Sequence, residues 1–442
     1  MNPALSHYDV IIVGGRPAGA TLAIRLGHQR LRVLLLERVL FPCPHPASSP
    51  IIYASAMALL DEIGADEADY ACNTPRTTHW VNEFYDQFRS YVQIPEAFGR
   101  NYAYAIDRAH FDDVLWRMAA SIPTVTAHQP FAITDLLWQD DVVIGVKGQT
   151  SDGVVEIFTA DCVIGADGRF STVAQKAGAQ PHDVHTENPT TICYAAWKNV
   201  DAYDAQEGSI HFCKPTNGYF FVLTETANGF VNVILEGKTA FFSHGPGQLE
   251  SFYTDTLRHH PLVWQRLARA ERISSVHGMR NIGNFYRTAG GRGWALVGDA
   301  LHQKDPIDGQ GIYDALFTAK VLSQEIIAWK DEGKSWAQAI EDYDKAVRAE
   351  TYPMYKETIS QVKQMIYSET TPFLYRLFGM DDELNLRYAL LTVRAIPSQN
   401  WLPIGVLLRA VYRGILDNIR YFLIHKPHPS EIRPLYSHNE HQ

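Results

Sequence analysis

The residues of this chain that could bind phosphate form a glycine-rich segment near its start. The sequence GGRPAG at residues 14–19 follows an apolar run, and Glu37 ends a second apolar run. Glycines let the backbone of such a turn approach a pyrophosphate, and the free N–H groups of the helix that follows attract its charge. An acid at the position of Glu37 accepts hydrogen bonds from ribose hydroxyls. The segment therefore predicts a dinucleotide site, with Arg16 in place of the usual middle glycine.

Two later segments place an aspartate just after a buried strand. The first is DCVIGADGRFS at residues 161–171, which alone is also typical of an ordinary Asp-Gly turn. The second is WALVGDALHQKDPIDGQGIYD at residues 294–314, where Asp299 follows the strand and a glycine pair precedes a helix. Ligands of open α/β folds bind at the carboxyl ends of strands, and backbone N–H groups before a helix attract anions. Both segments are therefore candidates for the same site.

The elements that must position these residues are clearest in the first 40 residues. Tyr8–Val13 and Arg32–Glu37 are continuous apolar runs, as expected of buried parallel strands. Ala20–Gln29 between them has apolar residues at helical spacing, which completes a strand–turn–helix–strand unit. Phe41–Pro50 contains four prolines and is predicted to be a stiff, extended loop.

Further along the chain, helical and strand patterns alternate. Helices are predicted near Ser55–Ile63, Ala109–Ala120 and Ile312–Lys330, and the last 90 or so residues also have mainly helical spacing. Strands or sheet are predicted at Asn101–Ile106, Asp161–Gly165, His211–Leu223 and Trp294–Val297. The alternation indicates an α/β protein.

The three glycine- and aspartate-containing segments, in this order, resemble those of the class A FAD-dependent monooxygenases, the p-hydroxybenzoate hydroxylase fold. The resemblance covers roughly residues 7–350. Prenyl reductases and flavin-dependent halogenases share these segments. The resemblance implies a Rossmann-like FAD-binding domain built from discontinuous segments, a β-rich substrate domain and a helical C-terminal part.

The family's cofactor contacts can be carried over residue by residue. The resemblance implies that Asp299 binds the ribityl chain, that Arg108 reaches FAD from its helix, and that the strand at Ile133 holds the adenine. The segment after Asp299 would lie beside the flavin ring, where a helix N-terminus stabilises the anionic reduced ring. The candidate FAD-binding residues are Gly14, Gly15, Pro17, Ala18, Gly19, Glu37, Arg38, Arg108, Ile133, Asp167, Asp299, Pro306, Gly309, Gln310, Gly311 and Ile312.

Several positions depart from the family pattern or allow two interpretations. Ala174 stands where the Asp-Gly motif usually ends in arginine, which bears on the NAD(P)H contact, and Tyr313 replaces a common asparagine. Tyr313 could fill space near the flavin or simply pack. His302 could be a base near the flavin or a packing residue, and we favour packing. Cys43 could lie near the flavin, but a buried, unreactive thiol is the preferred interpretation.

The resemblance also predicts the domain boundaries. Residues 1–75, 101–184 and 280–350 would form the FAD-binding domain, residues 76–100 and 185–279 the substrate domain, and residues 351–442 a helical region. In that region Trp401–Ile424 is strongly apolar with arginines at intervals. It could be an amphipathic helix that contacts a membrane or a subunit, or a terminal helix that packs on the core, which we favour.

Composition excludes several other classes of protein. The formal net charge is −10 with no basic run, which argues against a nucleic-acid partner. The five cysteines show no CxxC spacing, which argues against a zinc module or disulfide scaffold and predicts a reducing, cytoplasmic location. No metal-ligand spacing, secretory signal or transmembrane run is present.

These observations favour an FAD-dependent monooxygenase. Such an enzyme uses NADH or NADPH and O2, forms a C4a-(hydro)peroxyflavin, and oxygenates a small apolar or aromatic substrate. The cofactor performs the oxygen chemistry, so the sequence names no catalytic residue. The alternative is an FAD-dependent reductase of isoprenoid double bonds, and a third possibility is a flavoprotein that binds without turnover. The Trp-x-Trp-x-Ile-Pro motif of flavin halogenases is absent from the sequence.

Overall fold

The structure is a computed structural model that describes residues 7–43, 50–85, 88–203, 209–242, 247–368 and 381–424. Residues 44–49 of the predicted proline-rich loop lie outside the described residues. The strands, in chain order, are β1 His7–Val13, β2 Val33–Leu36, β3 Ile51–Ile52, β4 His79–Phe84, β5 Phe88–Gln93, β6 Tyr104–Ala105, β7 Val125–His128, β8 Phe131–Gln139, β9 Val142–Thr150, β10 Val155–Gly165, β11 Pro181–Lys198, β12 Ser209–Lys214, β13 Tyr219–Glu225, β14 Val231–Lys238, β15 Glu271–Arg272, β16 His277–Arg287, β17 Gly290–Gly291, β18 Trp294–Leu296 and β19 His302–Gln303.

The helices connect these strands and form most of the C-terminal region. They are α1 Pro17–His28, α2 Ala54–Asp61, α3 Glu67–Ala71, α4 Arg108–Ala120, α5 Thr172–Lys176, α6 Leu249–Arg258, α7 Pro261–Leu267, α8 Gly311–Asp331, α9 Trp336–Val362, α10 Asp382–Thr392 and α11 Ile404–Ile424. A π-helical turn at Lys363–Tyr367 continues α9.

The first sheet carries the predicted nucleotide turn. Its parallel part has the order β18-β10-β1-β2-β7, with β17, β9 and β8 added antiparallel. Val10 lies opposite Cys162 on one side and Val33 on the other, and all three are completely buried. Apolar runs of this kind form central parallel strands because helices cover both faces of the sheet. The predicted α/β fold with a Rossmann-like sheet is confirmed.

The second sheet is mainly antiparallel and has the order β19-β16-β11-β14-β13-β12-β4-β5. Because side chains alternate along a strand, its two faces differ. Ile192 and Ile234 pack in the core shared with the first sheet, whereas Cys193 and Val233 pack in a separate core. The second core includes Tyr253 of α6 and residues of α7. One face of this sheet is thus aimed at the first sheet and the other at two covering helices.

The segment that follows Asp299 crosses between the two sheets. β18 belongs to the first sheet, and β19, only a few residues later, pairs with β16 of the second through Gln303 opposite Phe285. Residues 304–310 therefore lie at the junction of the sheets, immediately before α8. This crossing places the predicted flavin-binding segment between the two halves of the protein.

The sheet predicted at Asn101–Ile106 is limited to the two residues Tyr104–Ala105. The hydroxyl groups of Tyr102 and Tyr104 donate to a carboxylate oxygen of Glu67, at 2.7 and 2.9 Å. The alternating aromatic residues thus form a side-chain cluster around Glu67. Their alternation resembles that of a strand, which explains why the pattern predicted a longer one.

The last described helix, α11, packs through small side chains. Val406 and Ala410 are buried against Leu384 of α10, whereas Leu408 and Tyr412 are more than 60% exposed. The other exposed apolar residues of the helix are Ile404, Ile415, Leu416 and Ile419. The favoured expectation that this helix packs on the core is thus met at Val406 and Ala410 but not at its large apolar residues. Among the helices in the described ranges, none is both long enough and apolar enough to cross a bilayer.

Candidate active site

A cavity of about 540 Å³ lies where the carboxyl ends of the first sheet's strands face the second sheet. It receives residues from the glycine turn, the Asp-Gly segment and the segment that contains Asp299. The predicted cofactor residues that line it are Gly14, Pro17, Ala18, Glu37, Arg38, Arg108, Ile133, Asp167, Asp299, Pro306, Gly311 and Ile312. Gly15, Gly19, Gly309 and Gln310 are outside its described lining.

The nucleotide turn has no room for larger residues at its first and last glycines. Gly14 has φ +107°, and a Cβ there would lie 2.3 Å from the carbonyl oxygen of Ala166. A Cβ on Gly19 would lie 1.8 Å from the carbonyl oxygen of Gly14. Helix α1 begins at Pro17 without a side-chain cap, so the dipole and N–H groups of its first turn act at the cavity wall. This end of the cavity suits a pyrophosphate.

Arg16 replaces the usual middle glycine, and its side chain is held by helix α4 rather than by the turn. Its guanidinium pairs with the completely buried carboxylate of Asp112 on α4, and Arg108 pairs with the same carboxylate at 3.0 Å. Both arginines also line the cavity. Two guanidinium groups on one carboxylate leave a net positive charge beside the turn, which complements phosphate.

Glu37 lies in the cavity lining, where its carboxylate is held by backbone. Gly15 N–H donates to Oε2 at 2.8 Å, and Val39 N–H donates to Oε1 at 3.1 Å. Each carboxylate oxygen can accept a further hydrogen bond. The side chain is therefore fixed in a position where a ribose hydroxyl could still donate to it.

The Asp-Gly segment contributes differently from what its sequence suggested. Asp167 accepts hydrogen bonds from Ser171 Oγ at 2.5 Å and Thr172 N–H at 2.6 Å, so its carboxylate caps α5. Burial raises its pKa, and these bonds offset part of that effect. Arg169, which sequence reasoning missed, lines the cavity and donates to Gln303 Oε1 at 2.8 Å. Burial lowers its pKa, while Asp299 and Asp305 oppose that shift.

Asp299 opens into the cavity at the end of β18. Gly298, immediately before it, has φ +58° and turns the chain there. Burial within the protein raises the pKa of Asp299, and Arg169 and His302 partly counter this. A carboxyl group that reaches the cavity from a strand end can hydrogen-bond a chain of hydroxyl groups.

A buried charge cluster fixes the loop that the resemblance places beside the flavin. Lys304 Nζ lies 2.6 Å from Asp308 and 2.9 Å from Asp314, and Arg394 Nη2 lies 2.9 Å from Asp314. Burial raises the pKa of Asp314, but Lys304 and Arg394 lower it by more, to well below its usual range. Sequence reasoning missed Lys304 and Asp314, although the run of ionisable residues in residues 302–314 was a signal.

The C-terminal region holds the same loop from the other side. Gln310 donates to the carbonyl of Thr392 at 2.6 Å and accepts from Arg394 at 3.2 Å. Tyr313 donates to Glu350 at 2.9 Å, and the Arg394 guanidinium lies 4.3 Å from the Tyr313 ring centre. Gln310 thus faces the C-terminal helices, and Tyr313 packs, as one of its two interpretations expected.

The structure also places His302, Cys43 and Ala174, the other positions that the sequence analysis discussed. The His302 ring stacks on Tyr286 at 4.7 Å and lies 3.5 Å from Asp314, but it also lines the larger cavity, so both of its interpretations stay open. Cys43 is half-buried and lines the cavity, so the expected burial of this thiol is wrong. Ala174 is buried in the core, where it presents no charge to a cofactor.

A second cavity, of about 100 Å³, lies across the loop from the first. Ile307, Asp308 and Gln310 of the loop form one wall, and the facing side of the second sheet forms another. Its aromatic lining residues are Tyr53, Trp80, Phe212, Phe220 and Tyr388. Phe221 and Leu223 of the predicted His211–Leu223 sheet instead pack in the core on the other face.

Glu83, His211 and Cys213 form a buried cluster whose potential ligand atoms lie within 4.8 Å of one another. Their spacing along the chain did not reveal it. His211 Nε2 lies 2.9 Å from Glu83, Arg266 lies 3.1 Å from His211 Nδ1, and Arg89 also pairs with Glu83. Burial raises the pKa of the Cys213 thiol. The contacts of the cluster are therefore hydrogen bonds through His211 and an ion pair of Glu83 with Arg89.

Comparisons with known proteins agree with this geometry. Digeranylgeranylglycerophospholipid reductase 2 of Methanopyrus kandleri is 26% identical over 378 residues, which cover 82% of this chain and 87% of that protein. The 6-methylpretetramide 4-monooxygenase of Streptomyces rimosus is 33% identical over 184 residues, 40% of this chain and 42% of that protein. The flavin-dependent brominase Bmp2 has a similar fold, with a TM-score of 0.76, 18% identity and coverage of 94% of this chain and 100% of its own.

The family description "FAD binding domain" matches residues 7–350, the same span that the three segments predicted. By its membership of this family, the chain is an FAD-dependent oxidoreductase. It belongs to the FAD binding domain family of class A flavoprotein monooxygenases.

Proposed function

We propose that this protein is a monooxygenase that uses FAD, NADH or NADPH, and O2 to oxygenate a small apolar or aromatic substrate. The observation that carries the proposal is the arrangement of two cavities on either side of one loop. The larger is lined by the predicted FAD residues and the smaller by aromatic side chains. Bound FAD would supply the activation of oxygen, and the protein would orient the substrate beside it.

The chain's own residues divide the work of holding FAD. The turn at Gly14 and the start of α1 would bind the pyrophosphate, with positive charge from Arg16 and Arg108. Glu37 would accept from the adenosine ribose and Asp299 from the ribityl hydroxyls. The start of α8 at Gly311 would face the flavin ring and stabilise negative charge on it after reduction.

The second cavity would hold the substrate. Its aromatic walls favour a flat or apolar molecule, and the polar side chains of Asn82 and Asn385 in its lining could orient one polar group. Met354, Met365 and Leu391 add an apolar wall from the C-terminal part of the chain. Such a wall would keep water away from one side of the bound substrate.

A second candidate function is reduction of isoprenoid double bonds. It is supported by the similarity to the Methanopyrus kandleri reductase, which covers more of this chain than does the similarity to the Streptomyces rimosus monooxygenase. The two functions differ in the fate of O2.

Isotope labelling separates the two candidates. FAD-loaded protein is incubated with NADPH or NADH under ¹⁸O2 and a panel of aromatic and prenyl compounds, and products are analysed by mass spectrometry. The proposal expects one ¹⁸O atom in the product. A saturated product without label would overturn it in favour of the reductase. Protein heated to unfold it serves as the control for oxidation without enzyme.

A further inference from the structure

Trp80 is a buried aromatic residue in the wall of the smaller cavity, and its indole N–H lacks an acceptor. The residue lies on β4, opposite Ile210 of β12 on one side and Val92 of β5 on the other. It is 4% exposed, and Nε1 finds no hydrogen-bond partner among the residues that the structure describes. The N–H group of a buried tryptophan usually has a partner, so this position calls for an explanation.

The alternation of side chains along β4 turns the indole toward the cavity. Trp80 and Asn82, two residues apart, both line it. Glu83, the next residue, instead pairs with His211 on the covered face of the sheet. The ring of Trp80 meets the ring of Tyr53 edge to face, with centroids 5.8 Å apart and planes at 87°. The indole is therefore a packed, oriented part of the cavity wall.

Other polar groups in the same wall already have partners within the protein. Asp308 accepts from the backbone N–H of Gln310 at 3.1 Å and from Thr358 Oγ1 at 2.8 Å. The side-chain amide of Asn82 donates to Ser90 Oγ at 3.1 Å. An indole N–H can only donate, so what this wall lacks is an acceptor. A molecule bound in the cavity can provide one.

We propose that Trp80 is a specificity-determining residue whose Nε1–H donates to an oxygen or ring nitrogen of a flat aromatic substrate. The inference rests on the proposed function, which places the substrate in the smaller cavity. It narrows the substrate to aromatic molecules that carry a hydrogen-bond acceptor. A site with a buried donor rejects an analogue without the acceptor, because the donor is then left unpaired. An isoprenoid chain has no such acceptor along its double bonds.

Pyridine and benzene are matched probes of this donor, because they have the same shape and only pyridine carries an acceptor. Each is titrated at neutral pH into FAD-loaded protein that is labelled with ¹⁵N in its tryptophan indoles, and NMR follows the Nε1–H signals. The signal of Trp80 is identified by its absence from Trp80→Phe. We expect pyridine to move this signal downfield until it saturates and benzene not to do so. The same shift with both probes, or none with pyridine, would overturn the inference.

Trp197→Phe is the matched control variant. Trp197 is also 4% exposed and lies on β11 of the same sheet, but its Nε1 donates to Tyr253 Oη at 3.1 Å. Trp80→Phe is expected to weaken pyridine binding about tenfold relative to benzene binding, and Trp197→Phe is expected to leave that ratio unchanged. Equal ratios in the two variants would overturn the inference. If Trp80→Phe does not fold, the wild-type signal, assigned through its contacts with the Tyr53 ring, decides alone.

The binding measurements do not depend on turnover, so the two proposals can fail separately. Labelled product in the ¹⁸O2 experiment, together with no effect of pyridine on the Trp80 signal, would overturn this inference and leave the proposed function standing. A pyridine-specific shift at Trp80 without labelled product would overturn the proposed function and leave the donor site standing.

Discussion

Two glutamates on the second sheet are buried to the same degree, but their pKa values are shifted in opposite directions. Glu83 on β4 is 2% exposed, and Glu236 on β14 is 3% exposed. Burial raises the pKa of Glu83, but His211 and Arg89 lower it by more, so its pKa lies below the ordinary value. Burial raises the pKa of Glu236 well above its ordinary value, and the charge of Asp305 raises it further. The charge of a buried carboxyl group is therefore set by its partner rather than by its depth.

The two faces of the sheet explain why the partners differ. Glu83 belongs to the face that packs under α6 and α7, where Arg266 approaches His211 from α7. Glu236 belongs to the face that meets the crossing loop and the two cavities. The covered face thus holds an ionic network around Glu83, whereas the face turned toward the cavities holds a buried carboxyl group with a raised pKa.

The largest expected effect comes from removing the charge on the covered face. Glu83→Leu leaves Arg89 and His211 without their carboxylate and should lower the free energy of unfolding by about 3 kcal/mol. Glu236→Leu removes a carboxyl group that has no ion pair among the described residues, and it should cost less than about 1 kcal/mol. Urea unfolding measures both. Equal losses would contradict the difference between the two faces.

The next largest effect concerns the larger cavity, which lies on the face of the second sheet that is turned toward the first sheet. Asp299→Ala removes a carboxyl group that reaches the cavity and should weaken FAD binding by about 2 kcal/mol, or about 30-fold. Fluorescence titration of the FAD-free protein measures the change. Asp152→Ala, in a fully exposed turn of the first sheet, is the control. An affinity for FAD that is equal in the two variants would show that Asp299 makes no contact with it.

The smallest effect is in the pH dependence of stability. The pKa of folded Glu83 is lowered, so its contribution is present above the ordinary value of 4.5 and is lost as pH falls below it. The pKa of folded Glu236 is raised, so stability falls as pH rises above 4.5 until this group ionises. Glu83→Gln should reduce the loss of stability below pH 4.5, and Glu236→Gln should reduce the loss above pH 4.5, each by about 1 kcal/mol. Thermal unfolding across pH 3–8 measures both losses, and the opposite assignment of the two variants would contradict this prediction.

Sequence reasoning succeeded where the relevant contacts are local. The first strand, the glycine turn and α1 follow from hydrophobic runs and turn residues that are neighbours in the chain. Glu37 and Asp299 reach one cavity because parallel strands end at the same edge of a sheet.

Contacts between distant segments could not be predicted in the same way. Arg394 pairs with Asp314 from a region without any motif, and Glu236 lies between Ile192 and Phe220 only because β14 lies between β11 and β13. Strand order and register of this kind depend on how the whole sheet packs. The charge cluster of the crossing loop and the position of Glu236 therefore became visible only in the structure.

The central claim is that the larger cavity binds the whole FAD molecule, from its adenosine part to its flavin ring. FAD-free protein titrated with FAD and, separately, with FMN tests this directly, with fluorescence quenching as the signal. We predict one FAD per chain and much weaker binding of FMN, which lacks the adenosine part that the Gly14 turn and Glu37 would hold. Absence of FAD binding, or equal affinity for FMN, would contradict the claim.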